Sequence, residues 1–191
     1  MNILSTRTPT GSALRSALAV GLAVACVCSA QADCSPVISA YTKADATKRF
    51  AMFDVDSTAA APKGDPFMTV IGDVQYTPNI VRKGPLNFVT EGYKAGPYSP
   101  GIESSSLKDR ERKGSVRCEP LGERKIGSEE AAGYRVRSSD KGTQADPTAI
   151  DIWVSRATGL PVWHGMGSDG GGFRWVYGAA VAAPDPAKIK K

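Results

Sequence analysis

The sequence predicts an α+β domain in which one short N-terminal helix precedes an antiparallel sheet. Three observations carry this reading. Apolar residues recur at helical spacing just after Ser35-Pro36. Beyond Pro66 that period gives way to an alternation of apolar and polar residues. From Ser115 onward the alternating segments are joined by turns too short for crossover helices, so neighbouring strands must run antiparallel.

The elements follow in order. Ser35 is placed to cap a helix and Pro36 to occupy its first turn, and Val37, Ile38, Tyr41 and Ala44 form its apolar stripe. The helix is expected over 36–47. Residues 50–55 fit a strand or a continuation of the helix, and 58–66, rich in Ala, Pro and Gly, read as a loop. Residues 67–77 alternate, which places Met68, Val70, Val74 and Tyr76 on one face of a single strand with Gly72 as a bulge or bend. A short strand is expected over 86–90. Residues 94–113 are polar and punctuated by Gly and Pro, and read as an extended loop or lid with one helical turn near Leu107. Extended segments follow at 115–120, 121–126, 133–138, 148–155, 160–166 and 173–181. In the last of these the period of two puts Phe173, Trp175 and Tyr177 inside and Arg174 in solvent.

The first 32 residues have the layout of a secretory signal peptide. Arg7 and Arg15 lie in a basic leader, an apolar run spans 17–27, and Ala30-Gln31-Ala32 offers a small-x-small cleavage site. That run is shorter than the roughly 20 residues a membrane-spanning helix needs. Acylation of Cys26 is the competing reading, but no Leu stands three places before it. Cleavage before Asp33 is expected, leaving one domain over 33–191 and export to the periplasm. The 24 Lys and Arg, less the two in the leader, stand against 19 Asp and Glu and leave a net charge of +3. That is too weak to argue for nucleic acid. The tail Lys188-Ile189-Lys190-Lys191 is a small cationic patch for peripheral membrane contact, with plain solvation as its simpler reading. Cys34 and Cys118 remain after cleavage, and an even pair in an exported chain is expected to form a disulfide. Two Cys and one His are too few ligands for a metal site.

Residues 118–184 carry a resemblance. They run CEPLGERKIGSEEAAGYRVRSS, then IDIWVSRATGLPVWHGMG, then FRWVYGAAVAAP. The order of Cys, Leu-Gly, Ala-Gly-Tyr, a Trp-Val strand, Gly-Leu-Pro and an aromatic strand ending in Pro resembles the Lol-type outer-membrane lipoprotein carriers and their exported relatives. Trp153-Val154 with Gly159-Leu160-Pro161 is the sharpest part of it. The resemblance implies a LolA/LolB-like fold, a curved, half-open antiparallel barrel with the N-terminal helix packed on its concave face. In those carriers the covered cavity shelters acyl chains. This chain departs from them in its short first helix and its polar central segment, and fold alone does not carry the activity over.

No catalytic constellation is legible. His164, Ser168 and Asp169 lie across one hairpin turn without a nucleophile elbow. His164 reads as a structural strand residue. Gly165-Met166-Gly167 and Gly170-Gly171-Gly172 precede a strand, whereas a phosphate loop precedes a helix. Glu129 and Glu130 are adjacent on a strand and point to opposite faces. The mixed charges of 108–113 read as a solvated face, with an acidic docking partner as the alternative. The aromatic cluster of the last three strands is the remaining candidate. Trp153, Trp175, Tyr177 and, nearby, Tyr134 are the expected contacts for an apolar, acyl-type ligand. That ligand is expected beneath the first helix and the 94–113 segment. The functional expectation is a monomeric, non-catalytic binding or carrier protein without cofactor. The alternative is a structural or interaction module of the cell envelope whose interior is filled by its own side chains.

Overall fold

The computed structural model describes residues 33–85, 87–138, 149–167 and 170–190. The expected signal peptide, and Ser168 and Asp169, lie outside the described residues. Helix α1, Ser35–Thr47, leads into strands β1 (Arg49–Val55), β2 (Met68–Ile71), β3 (Val74–Arg82) and β4 (Phe88–Pro97). A second helix, α2 (Ile102–Arg112), precedes β5 (Val116–Ile126), β6 (Glu129–Ser138), β7 (Ala149–Ser155), β8 (Pro161–Gly165) and β9 (Gly172–Tyr177). A two-residue strand, β10 (Ile189–Lys190), ends the description. The strands form one open, curved sheet in the order β10-β4-β3-β2-β1-β9-β8-β7-β6-β5. Two antiparallel meanders, β1–β4 and β5–β9, are thus joined along β1 and β9, where Phe50 faces Tyr177 and Met52 faces Trp175. Only the β10–β4 pair is parallel, which makes the sheet mixed.

The alternation of residues gives the sheet two apolar faces. On the inner face Phe50, Met52, Val70, Val136, Ile152 and Trp175 pack with Val37, Ala40, Tyr41 and Ala44 of α1. The helix stripe follows the i, i+3, i+4, i+7 rule, with Ile38 at its margin. On the outer face Val55, Ile126, Ala131, Trp153, Val162 and Trp163 form a separate cluster. Bulges at 78–80 in β3, at 120–122 in β5 and opposite Trp153 in β7–β8 interrupt the ladders. Extra residues of this kind bend and twist a sheet.

Several expectations are corrected. Cys34, not Ser35, is the residue before the helix, and the Asp33 carboxylate accepts the Ser35 N–H at 2.8 Å. Residues 67–77 are not one strand. Gly72, at φ +62°, opens a two-residue turn, and its N–H donates to the Lys48 carbonyl at 2.8 Å. The turn pairs Ile71 with Val74 and Val70 with Gln75, so Val74 and Tyr76 lie on the face opposite Met68 and Val70. Residues 102–112 form a helix where a loop was expected. That helix buries only Ser104 and Leu107, too little apolar surface to show as a stripe. The last long strand stops at Tyr177 because Gly178 turns the chain at φ +77°. The tail is not simply solvated, since Ile189 pairs with Tyr93. Gly92 permits this: a Cβ there would lie 2.1 Å from the Lys188 carbonyl oxygen. Arg174 keeps its expected register, opposite to Trp175, but it is 8 % exposed and not in solvent. The outer face it points to is itself a packed cluster.

Candidate functional site

Between the inner face and the two helices lies a cavity of about 480 Å³. Its walls come from both meanders and both helices, which explains why no single stretch of sequence announces it. Helix α1 contributes Tyr41, Ala44 and Asp45, and β1 and β2 contribute Phe50, Met52 and Met68. Strands β6 to β9 contribute Val136, Ile150, Ile152, His164, Phe173 and Trp175. Helix α2 presents Ile102, Glu103, Ser106, Leu107 and Arg110, one face at spacings of three and four. Phe67, Ile102 and Ile150 line the cavity and are also largely exposed, so they mark its opening.

The helical cover is fastened at both ends. At the end of α1 the Asp45 carboxylate accepts the Gly101 N–H at 2.9 Å and the Tyr98 hydroxyl. Burial, reinforced by Asp45, holds the Tyr98 phenol above its ordinary range. At the start of α1 the Cys34 N–H donates to Glu111 Oε1 at 2.7 Å. The expected disulfide joins Cys34 to Cys118 of β5, with Cα atoms 5.0 Å apart. Helix α1 is thereby tied to α2 and to the sheet edge. Arg110 of α2 donates to the Ser138 hydroxyl, closing the far end.

The four expected contact residues separate. Trp175 lines the cavity, with Phe50 at 5.1 Å and Tyr41 at 6.1 Å between ring centroids. Tyr134 and Tyr177 pack against the inner cluster without lining the cavity. The Tyr177 hydroxyl is spent on the Pro161 carbonyl at 2.7 Å, and burial pushes its ionisation far up. Trp153 is the correction. It belongs to the outer cluster, because the alternation that turns Ile152 inward turns its neighbour outward. Its indole lies over Gly133, where an added Cβ would sit 2.6 Å from the ring, and Arg124 stacks on it at 5.3 Å from the centroid.

His164, a structural strand residue by its sequence context, is part of the cavity wall. Its cross-strand neighbours are Ile152 and Phe173, both inward. Burial among aromatic rings lowers its pKa to about 4. The hairpin register around Ala157-Thr158-Gly159 could have placed it opposite Ile152. The contribution of α2 had no comparable signal. Among the described residues, no group of His, Cys, Asp and Glu is arranged to hold a metal ion. No helix among them is long and apolar enough to cross a membrane.

No protein-family model matches the chain, and no curated protein shows significant similarity to it.

Proposed function

We propose that this chain is an exported, non-catalytic binding or carrier protein whose inner cavity takes an apolar, acyl-type ligand. The observation that carries the reading is the cavity itself. Its 480 Å³ falls within the range of about 300–1,000 Å³ typical of small-molecule sites. Its lining is mostly aliphatic and aromatic, with polar groups confined to the helices, the Tyr98-Ser99 connection before α2, Gln75 and His164. An apolar rim of Phe67, Ile102 and Ile150 gives a chain-like ligand a path in from the surface. The leader, the disulfide and the resemblance to the lipoprotein carriers agree with transport of such a ligand across the periplasm. The competing reading, a structural envelope module, is favoured by the outer face, which the protein's own indoles fill.

Native mass spectrometry of the exported protein, incubated with a bacterial lipid extract, tests the proposal. The expected spectrum contains a lipid-bound species on a chain beginning at Asp33. A protein that stays empty at every lipid concentration supports the structural module instead.

A further inference from the structure

His164 is the one imidazole among the side chains that line the cavity. Its ring stands edge-on to Phe173 and Trp175, with centroids 5.2 Å and 5.9 Å away. Trp175 Nε1–H points at His164 Nδ1 across 3.4 Å. An indole nitrogen only donates, so Nδ1 must be the acceptor and the imidazole proton resides on Nε2. No hydrogen bond from Nε2 to any described residue is formed. Burial keeps the ring neutral above about pH 4. His164 is half-buried and Nε2 is not sealed from water, so a ligand that displaces that water must bring an acceptor of its own or leave the donor unmet among apolar walls.

We infer that His164 is a specificity-determining residue, donating from Nε2 to the ester carbonyl of an acyl ligand and so favouring an acyl ester over a bare hydrocarbon. The inference rests on the acyl-ligand reading of the cavity and adds the ligand's polar group to it. A neutral imidazole suits an uncharged acceptor. It offers no full positive charge to a carboxylate.

The test compares methyl laurate with the linear alkane of equal heavy-atom count, by displacement of a fluorescent probe from the folded protein. One neutral hydrogen bond predicts a preference of about tenfold for the ester. His164→Phe keeps an aromatic ring, binds both probes and loses the preference, whereas His164→Gln retains a donor and part of the preference. Equal affinities in the unsubstituted protein, or a full preference surviving in His164→Phe, overturn the donor role and leave the acyl site standing. Failure to bind either probe overturns both. His164 is the only histidine, so its ring nitrogens give a single pair of resonances in nitrogen-labelled protein. These decide the matter even if the Phe variant does not fold. Methyl laurate must shift the Nε2 signal, and saturation without a shift overturns the inference.

Discussion

Trp163 and Trp175 lie on adjacent strands of the same sheet and do opposite things. Trp163, on the outer face, is fully buried, and its ring lies across Gly165 and Gly172, where an added Cβ would fall 2.7 Å from it. Trp153 repeats the arrangement over Gly133. The missing side chains let the indoles lie flush on the backbone, and this face needs no helix to cover it. Trp175, on the inner face, stands among Tyr41, Phe50 and Tyr177 and leaves a cavity beside it. That face is covered by two helices which bridge the curve of the sheet instead of filling it. One sheet therefore shows two solutions to covering apolar surface: closure by side chains on glycines, and a roof with space beneath. The outer solution has a cost, since Trp153 Nε1, Trp163 Nε1 and Arg174 Nη1 are buried without hydrogen-bond partners among the described residues.

The largest effect should come from the closed face. Trp163→Ala removes a fully packed indole where nothing can collapse into the void, and is expected to cost about 3–5 kcal/mol in denaturant unfolding. A loss below about 1 kcal/mol would show that the outer face is not a packed core. Next comes the roof. The disulfide closes a loop of 84 residues. Chain entropy assigns such a loop about 4 kcal/mol as an upper figure. Paired replacement of Cys34 and Cys118 by Ser should therefore cost about 2–4 kcal/mol and loosen α1 first, as amide exchange would show. Uniform loss of protection across the sheet would contradict that order.

A third effect belongs to His164. Its pKa is lowered to about 4 in the folded protein. The unfolded chain binds the proton near pH 6.5, so stability falls as pH drops from about 6.5 toward 4 and is unaffected above that window. The contribution lost is on the order of 3 kcal/mol. His164→Gln, measured beside the unsubstituted protein to subtract the carboxylates, should flatten that slope, and parallel curves would refute the burial. The smallest effect is at Gly133, where an Ala methyl must push the Trp153 ring aside. Gly133→Ala should cost about 1–3 kcal/mol. An unchanged midpoint would mean that the ring moves freely.

The sheet was legible because its segments alternate and its turns carry Gly or Asp. The disulfide was legible because two cysteines remain beyond the leader. Other features were not. Helix α2 is nearly all polar and buries two residues, so its helical period carries no hydrophobic signal. The Gly72 turn hides inside an unbroken alternation, because a two-residue turn preserves the pattern while reversing the face. Composition alone draws Trp153 to the site, whereas the strand alternation sets it on the face opposite Ile150, Ile152 and Val154, which turn inward. The period of two sends Arg174 to the outer face correctly, but no local signal marks that face as packed. The cavity itself depends on where two helices fail to fill a curve, a property of assembly that no single segment encodes.

Trp175→Ala, read in parallel for melting temperature and for lipid retained after purification, tests the central claim most directly. If the inner face is a ligand site, the variant remains folded, loses less stability than Trp163→Ala, and no longer carries the lipid that the unsubstituted protein retains. If Trp175→Ala loses as much stability as Trp163→Ala, in a protein that never carries lipid, then both faces are structural core and the carrier reading is wrong.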